Sequence, residues 1–231
     1  MAQKINPISY RLGTTQVWQS ILQNYGMSSK NYFKILHKQL QIQKFLIKIF
    51  ESNFFFIAKK ELWYTHNKLF LNIYYSHILV SSKFDYFALL RNITETAAYW
   101  SKNKIYIRFY RKLHWFSTTS LLFYYFKYLL EQNNSPQKTL WSICQFLEQH
   151  LNSTKIVYLK TGPSEVILKG FKVRLVGRFN DSRNQMAKSV IQNAGSLSLI
   201  CLSNHVEFFS GEFFTKLGTC GLQIWLFYKI Y

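Results

Sequence analysis

At 231 residues the chain is long enough for one large or two small domains with real cores, and its 29 Lys and Arg against 10 Asp and Glu leave a formal charge of +19. A domain with that surplus repels itself, so the composition demands a polyanionic partner, with nucleic acid ahead of an anionic membrane surface. Ten acids without a spaced cluster exclude metal-assisted phosphoryl chemistry, and no run reaches the ~20 apolar residues of a membrane span. The amino terminus has no apolar signal segment and is expected to carry no targeting sequence.

The first segment, MAQKINPISYRLG, sets Lys4 and Arg11 around Asn6-Pro7 and closes on Gly13. Asn-Pro favours a turn, so residues 1–29 read as an extended basic arm with one bend, ordered by a polyphosphate surface. KNYFKILHKQLQIQKFLIKIF (30–50) has helical periodicity: Tyr32, Ile35, Leu36, Ile42, Leu46 and Phe50 share a face that Gln39 and Gln43 interrupt. Lys30, Lys34, Lys38, Lys44 and Lys48 lie opposite without a carboxylate partner, either as a solvated face or, the reading preferred here, facing phosphates. FFFIAKK and KLFLNIYY read as a hairpin across Thr65–Asn67, a helix is expected from Phe84 or Asp85, and KIYIRFYRK alternates with Ile105, Ile107 and Phe109 on one side. The order is helix, strand, strand, helix, strand.

From Thr118 to Asn152 two helical stretches are predicted, the second starting at Pro136. Then come IVYLK and EVILK around Gly162-Pro163, FKVRLVGRF, a polar loop, HVEFFSG and CGLQIWLFY, all strand-like. Lys172, Arg174 and Arg178 alternate along one strand and share a face, and Arg183 and Lys188 extend the positive field. The competing reading is a strand edge guarded by charge. The boundary between two α+β halves falls near 112–118. Cys144, Cys201 and Cys220 have no ligand spacing and read as small apolar residues in a reducing compartment. The abundance of Phe (21) and Tyr (16) fits an A+T-rich, organelle-type genome.

Three stretches carry a resemblance: QKINPISYRLG at the start, and GFKVRLVGRFNDSRNQMAK followed by KLGTCGLQIWLFYK at the end. Together they resemble the universal small-subunit ribosomal protein three family in its mitochondrial form. The resemblance implies an α+β fold with an N-terminal arm (1–29), a degenerate type II KH domain (30–115) and a second α+β domain (116–231), in which two helices pack on a mostly antiparallel sheet. Residues 154–170 look like an inserted hairpin relative to bacterial members.

The same resemblance implies a structural, non-enzymatic role in the head of the mitochondrial small subunit, with ribosomal RNA, messenger RNA and small-subunit proteins ten and fourteen as partners and no cofactor. The ribosomal RNA contacts expected are Lys4, Asn6, Arg11, Lys30, Lys34, Lys38, Lys172, Arg174, Arg178, Asn180, Arg183 and Lys188. The KH loop, which grips RNA backbone through a GXXG turn in such domains, falls on Ser81, Ser82, Lys83 and Phe84. Both glycines are absent there, so this half reads as scaffold. At the mouth of the messenger channel, Gln137 and Lys138 stand where bacterial members carry basic pairs. A free-standing KH-type RNA chaperone is the rival reading.

Overall fold

The computed structural model describes residues 5–18, 20–21, 29–53, 55–65, 68–77, 86–101, 104–132, 135–179 and 186–230. In chain order these form α1 (Pro7–Arg11), β1 (Ser20–Ile21), α2 (Ser29–Ser52), β2 (Phe55–Thr65), β3 (Lys68–His77), α3 (Tyr86–Ser101) and β4 (Lys104–Arg111). A 3-10 turn (Trp115–Ser117), α4 (Thr119–Glu131), α5 (Pro136–Gln149), β5 (Thr154–Leu159), β6 (Gly162–Gly177), β7 (Lys188–Gly195), β8 (His205–Thr215) and β9 (Gly218–Ile230) follow. The fold is mixed α+β, as the sequence predicts. The chain divides into two units, Trp18–Trp115 and a second that joins Met1–Val17 to Phe116–Tyr231.

In the Trp18–Trp115 unit, the sheet order is β1-β2-β3-β4. β2 and β3 pair antiparallel through Thr65↔Lys68, the hairpin expected, while β4 lies parallel to β3 after the α3 crossover. Alternation assigns the faces. Leu69, Leu71 and Ile73 of β3 are buried with Leu62 of β2, Ile42, Leu46 and Phe50 of α2 and Ile93 of α3, and Ile105, Ile107 and Phe109 of β4 pack against them. The α2 stripe is shorter than its periodicity implies: Gln39 is buried within it, whereas Tyr32 and Phe33 in the first turns are exposed. The two-residue β1, parallel to β2 at Ser20↔Leu62, has no sequence signal.

The other unit is an antiparallel sheet of order β5-β6-β9-β8, with β7 also paired to β6. EVILK and FKVRLVGRF form one sixteen-residue strand rather than two, β6, with an irregularity between Leu168 and Gly170. Its first half pairs with β5 and its second with β7, along the same edge. β7 arises inside the stretch read as a polar loop. KSVIQNAG is half-exposed and small-residue-rich, which hides a strand whose stability comes from hydrogen bonding to β6. The two helices pack on the sheet, with Leu122, Phe126, Leu140, Ile143 and Leu147 facing Val173, Leu222 and Ile224. Ring contacts Phe123–Phe209 (5.1 Å) and Phe126–Phe213 (5.5 Å) fix α4 on β8.

Candidate nucleic-acid interface

The N-terminal segment departs from the expected extended arm. Asn6 is extended (φ −62°, ψ 121°), as a residue before proline should be, but it caps a helix, its Oδ1 accepting from Ile8 N at 2.9 Å with Pro7 in the first turn. Asparagine as cap and proline as first helical residue are both favourable. Arg11, expected on phosphate, is fully buried. Its Nε donates to the Asn204 carbonyl (3.0 Å), Nη1 to Pro7 (3.1 Å), and Nη2 to Leu199 (2.8 Å) and Cys201 (2.9 Å). Gln16 Nε2 adds a bond to the Val206 carbonyl at 2.7 Å. Carbonyls of the loop before β8 therefore take the place assigned to RNA, and burial draws the Arg11 pKa below the ordinary arginine value.

The basic residues of the C-terminal sheet are placed differently. Lys172 and Arg174 occupy alternate half-exposed positions of β6, between Phe171, Val173 and Leu175, which are buried toward the helices. β6 is flanked by β7 and β9 at this point, so the pair sits on a sheet face and not on a free edge. Lys172 lies opposite Trp225, its Nζ 5.4 Å from the indole centroid, and Trp225 is 5.1 Å from Phe208. Arg174 lies opposite Gln223 on one side and Ile191 on the other. Arg178, half-buried, follows the end of the strand, and Lys188 is exposed at the start of β7. The link from Lys172 to Trp225 was hidden in the sequence because it depends on cross-strand register.

On α2, Lys34, Lys44 and Lys48 are exposed and Lys38 is half-buried. Gln137 and Lys138 stand in the exposed first turn of α5, in a shallow depression shared with Trp141, Ser142 and Gln145. Trp141, one turn beyond Lys138 and 59% exposed, escaped the sequence reading although the i, i+3 spacing was visible. Lys4, the Lys30 side chain, the Ser81–Phe84 loop, Asn180 and Arg183 lie outside the described residues.

A further polar group fastens the 154–170 hairpin into its unit. Lys155 Nζ donates to Glu207 Oε1 (2.6 Å), the Ser117 carbonyl (2.7 Å) and Tyr228 Oη (3.1 Å), and sits 4.2 Å from the Tyr228 ring centroid. Burial alone would raise the Glu207 carboxyl, but the Lys155 ammonium and the nearby His205 outweigh it and bring it down to about 2. Burial, then the Glu207 charge, push the Tyr228 phenol well up. Among the described residues no helix is long and apolar enough to cross a membrane, and no group of three His, Cys, Asp or Glu is placed to hold a metal.

The molecule is thus a strongly basic protein of two α+β units in which described cations such as Lys34, Lys48, Lys172 and Arg174 stand on helix and sheet faces. No family model matches it. It is 49% identical over 229 residues, 99% of this chain and 94% of the relative, to the small ribosomal subunit protein uS3m of Chondrus crispus. It is 25% identical over 233 residues (98% and 99% of the two chains) to uS3c of Euglena longa, and 21% over 237 residues (98% and 90%) to uS3 of Pelagibacter ubique. The chain belongs to the uS3 family of small ribosomal subunit proteins, in its mitochondrial form.

Proposed function

We propose that the chain is a structural constituent of the mitochondrial small ribosomal subunit that binds ribosomal RNA by neutralising phosphates. The observation that carries this reading is the Lys172–Arg174 pair on the face of β6, backed by a net charge of +19. Cations fixed on a packed strand lose little freedom when they displace counterions from phosphates. Lys34, Lys38, Arg178 and Lys188 extend the same role, and the sequence assigns Lys4, Lys30, Asn180 and Arg183 to it as well. Arg11 leaves the set, and Asn6 acts by shaping the segment that holds it.

The helix–strand–strand–helix–strand order of the Trp18–Trp115 unit supports a KH-like scaffold of the second type, in which Ser81 and Phe84 in place of glycine keep RNA backbone away from the loop. Gln137 and Lys138 form a weakly basic messenger-channel mouth. A single lysine attracts a strand but lacks the planar fork that grips phosphate bidentately. Small-subunit proteins ten and fourteen are the protein neighbours. The test is co-sedimentation of the protein with mitochondrial small subunits on sucrose gradients, with RNA affinity measured against salt. Lys172→Gln/Arg174→Gln should weaken binding and reduce the slope of log K against log salt by roughly 0.7–0.9 per lost contact. An unchanged slope, or sedimentation apart from the subunit, would refute the assignment.

A further inference from the structure

The face of the Trp18–Trp115 sheet opposite the α2/α3 core carries aromatic rows crossing the strands. Phe70 of β3 stacks on Tyr106 of β4, with centroids 5.1 Å apart and planes 15° apart, and the register continues the row to Trp63 of β2. Four residues along, Tyr74 stacks on Tyr110 at 5.1 Å and 21°. Strand rise puts the two rows roughly 13 Å apart, and the row between them holds Asn72 and exposed Arg108. Trp63, Tyr106 and Tyr110 are 51%, 43% and 41% exposed.

Cations surround these rings. Lys68 Nζ lies 6.0 Å from the Tyr106 centroid and Lys112 Nζ 5.3 Å from that of Tyr74. Lys59 stands beside the second row, opposite Tyr74. The acid on the face, Glu61, already pairs with Lys59 at 2.8 Å. None of these aromatics contributes to the core on the helix side, so burial within the unit does not account for them.

We infer that this open sheet face is a stacking platform for unpaired RNA bases, distinct from the KH loop and from the Lys172–Arg174 surface. The inference rests on the RNA-binding reading above. Two stacked pairs offer two places where a base can extend the stack, and Lys68, Arg108 and Lys112 lie where the phosphates between bases would run. Aromatic side chains on a sheet with interleaved cations recognise single strands in this way. A protein-binding core, in contrast, is depleted of lysine, whereas three lysines and an arginine stand among these rings.

The test uses the full-length protein and a single-stranded uridine-rich oligonucleotide, combining ultraviolet crosslinking with anisotropy titrations over a range of salt. Crosslinks should map to peptides containing Trp63, Tyr106 or Tyr110. Tyr106→Leu/Tyr110→Leu should lower affinity for the oligonucleotide about tenfold or more at an unchanged salt slope, whereas Tyr106→Phe/Tyr110→Phe should retain it. If the leucine pair misfolds, the phenylalanine pair and the crosslink map of the unaltered protein decide the question. Crosslinks confined to β6–β9 and α2, with the leucine pair binding normally, overturn the platform while leaving RNA binding intact. Loss of a neighbouring protein from subunits carrying the leucine pair, with oligonucleotide affinity unchanged, overturns it in favour of a protein dock. Failure of the unaltered protein to bind either the oligonucleotide or a ribosomal RNA fragment overturns both readings.

Discussion

Arg11 directs its guanidinium to the chain itself, joining α1 to the carbonyls of Leu199, Cys201 and Asn204. Arg11→Ala removes every donor at once and leaves buried acceptors unmatched, so it should lower the stability of the unit containing residues 116–231 by about 3 kcal/mol. Arg11→Lys should recover less than half of that, since an ammonium cannot reproduce the fork. Urea unfolding of both variants measures this, and a residue that served phosphate would instead change the salt slope of RNA binding and leave unfolding alone. Glu207 sets a pH dependence of known sign. Its carboxyl falls from the ordinary value near 4.5 to about 2, so the unfolded chain takes up the proton first. The stability it contributes is full above about pH 4.5 and is lost as pH falls toward 2. Unfolding midpoints across that window should fall in the native protein and stay flatter in Glu207→Gln. Lys155→Met, which leaves the half-buried Glu207 carboxylate without its ammonium partner, should cost about 1–3 kcal/mol at neutral pH.

Periodicity exposed most elements and missed those held by pairing alone. The α2 stripe, the β2/β3 hairpin, the alternation of β4 and the start of α5 at Pro136 could be read because each buries side chains at a fixed interval. β7 could not, because half-exposed KSVIQNAG has little to bury, and neither could the continuity of β6, because Lys169-Gly170 looks like a break when its neighbours are unknown. The same limit divides the site. Lys172 and Arg174 were legible from a period of two, but Trp225 beside Lys172 and the carbonyls around Arg11 depend on partners far along the chain. Close packing between elements yields its own test. A Cβ on Gly211 would lie 2.5 Å from the Phe123 ring. Gly211→Val should therefore push Phe123 off Phe209, loosen α4 from β8 and cost about 1–3 kcal/mol, whereas Gly221→Ala, where a Cβ meets nothing within 4 Å, should be far milder. Equal denaturation midpoints for the two variants would argue against this packing account.

For the molecule as a whole, the position of α1 bears on the order in which the chain acquires its structure. Met1–Val17 belongs with Phe116–Tyr231, and in sequence the two are interrupted by Trp18–Trp115, a unit with its own core. During synthesis Arg11 and Gln16 emerge well before the carbonyls at 199–206 that receive them, which are made nearly two hundred residues later. Long-range closure of this kind is slow, and the intervening unit has no need to wait for it. The Trp18–Trp115 unit should therefore mature first, leaving α1 and Gln16 unanchored and open to proteases or to helper proteins until the last strands are complete. Pulse-labelling of backbone amides during refolding should find Leu71 and Ile107 protected before Leu12 and Gln16, and simultaneous protection of all four would show the two units to be kinetically inseparable. A segment at Pro7–Gln16 that stays unanchored until residues 199–206 have been made gives an assembling particle an interval in which unfinished and finished copies differ at that segment.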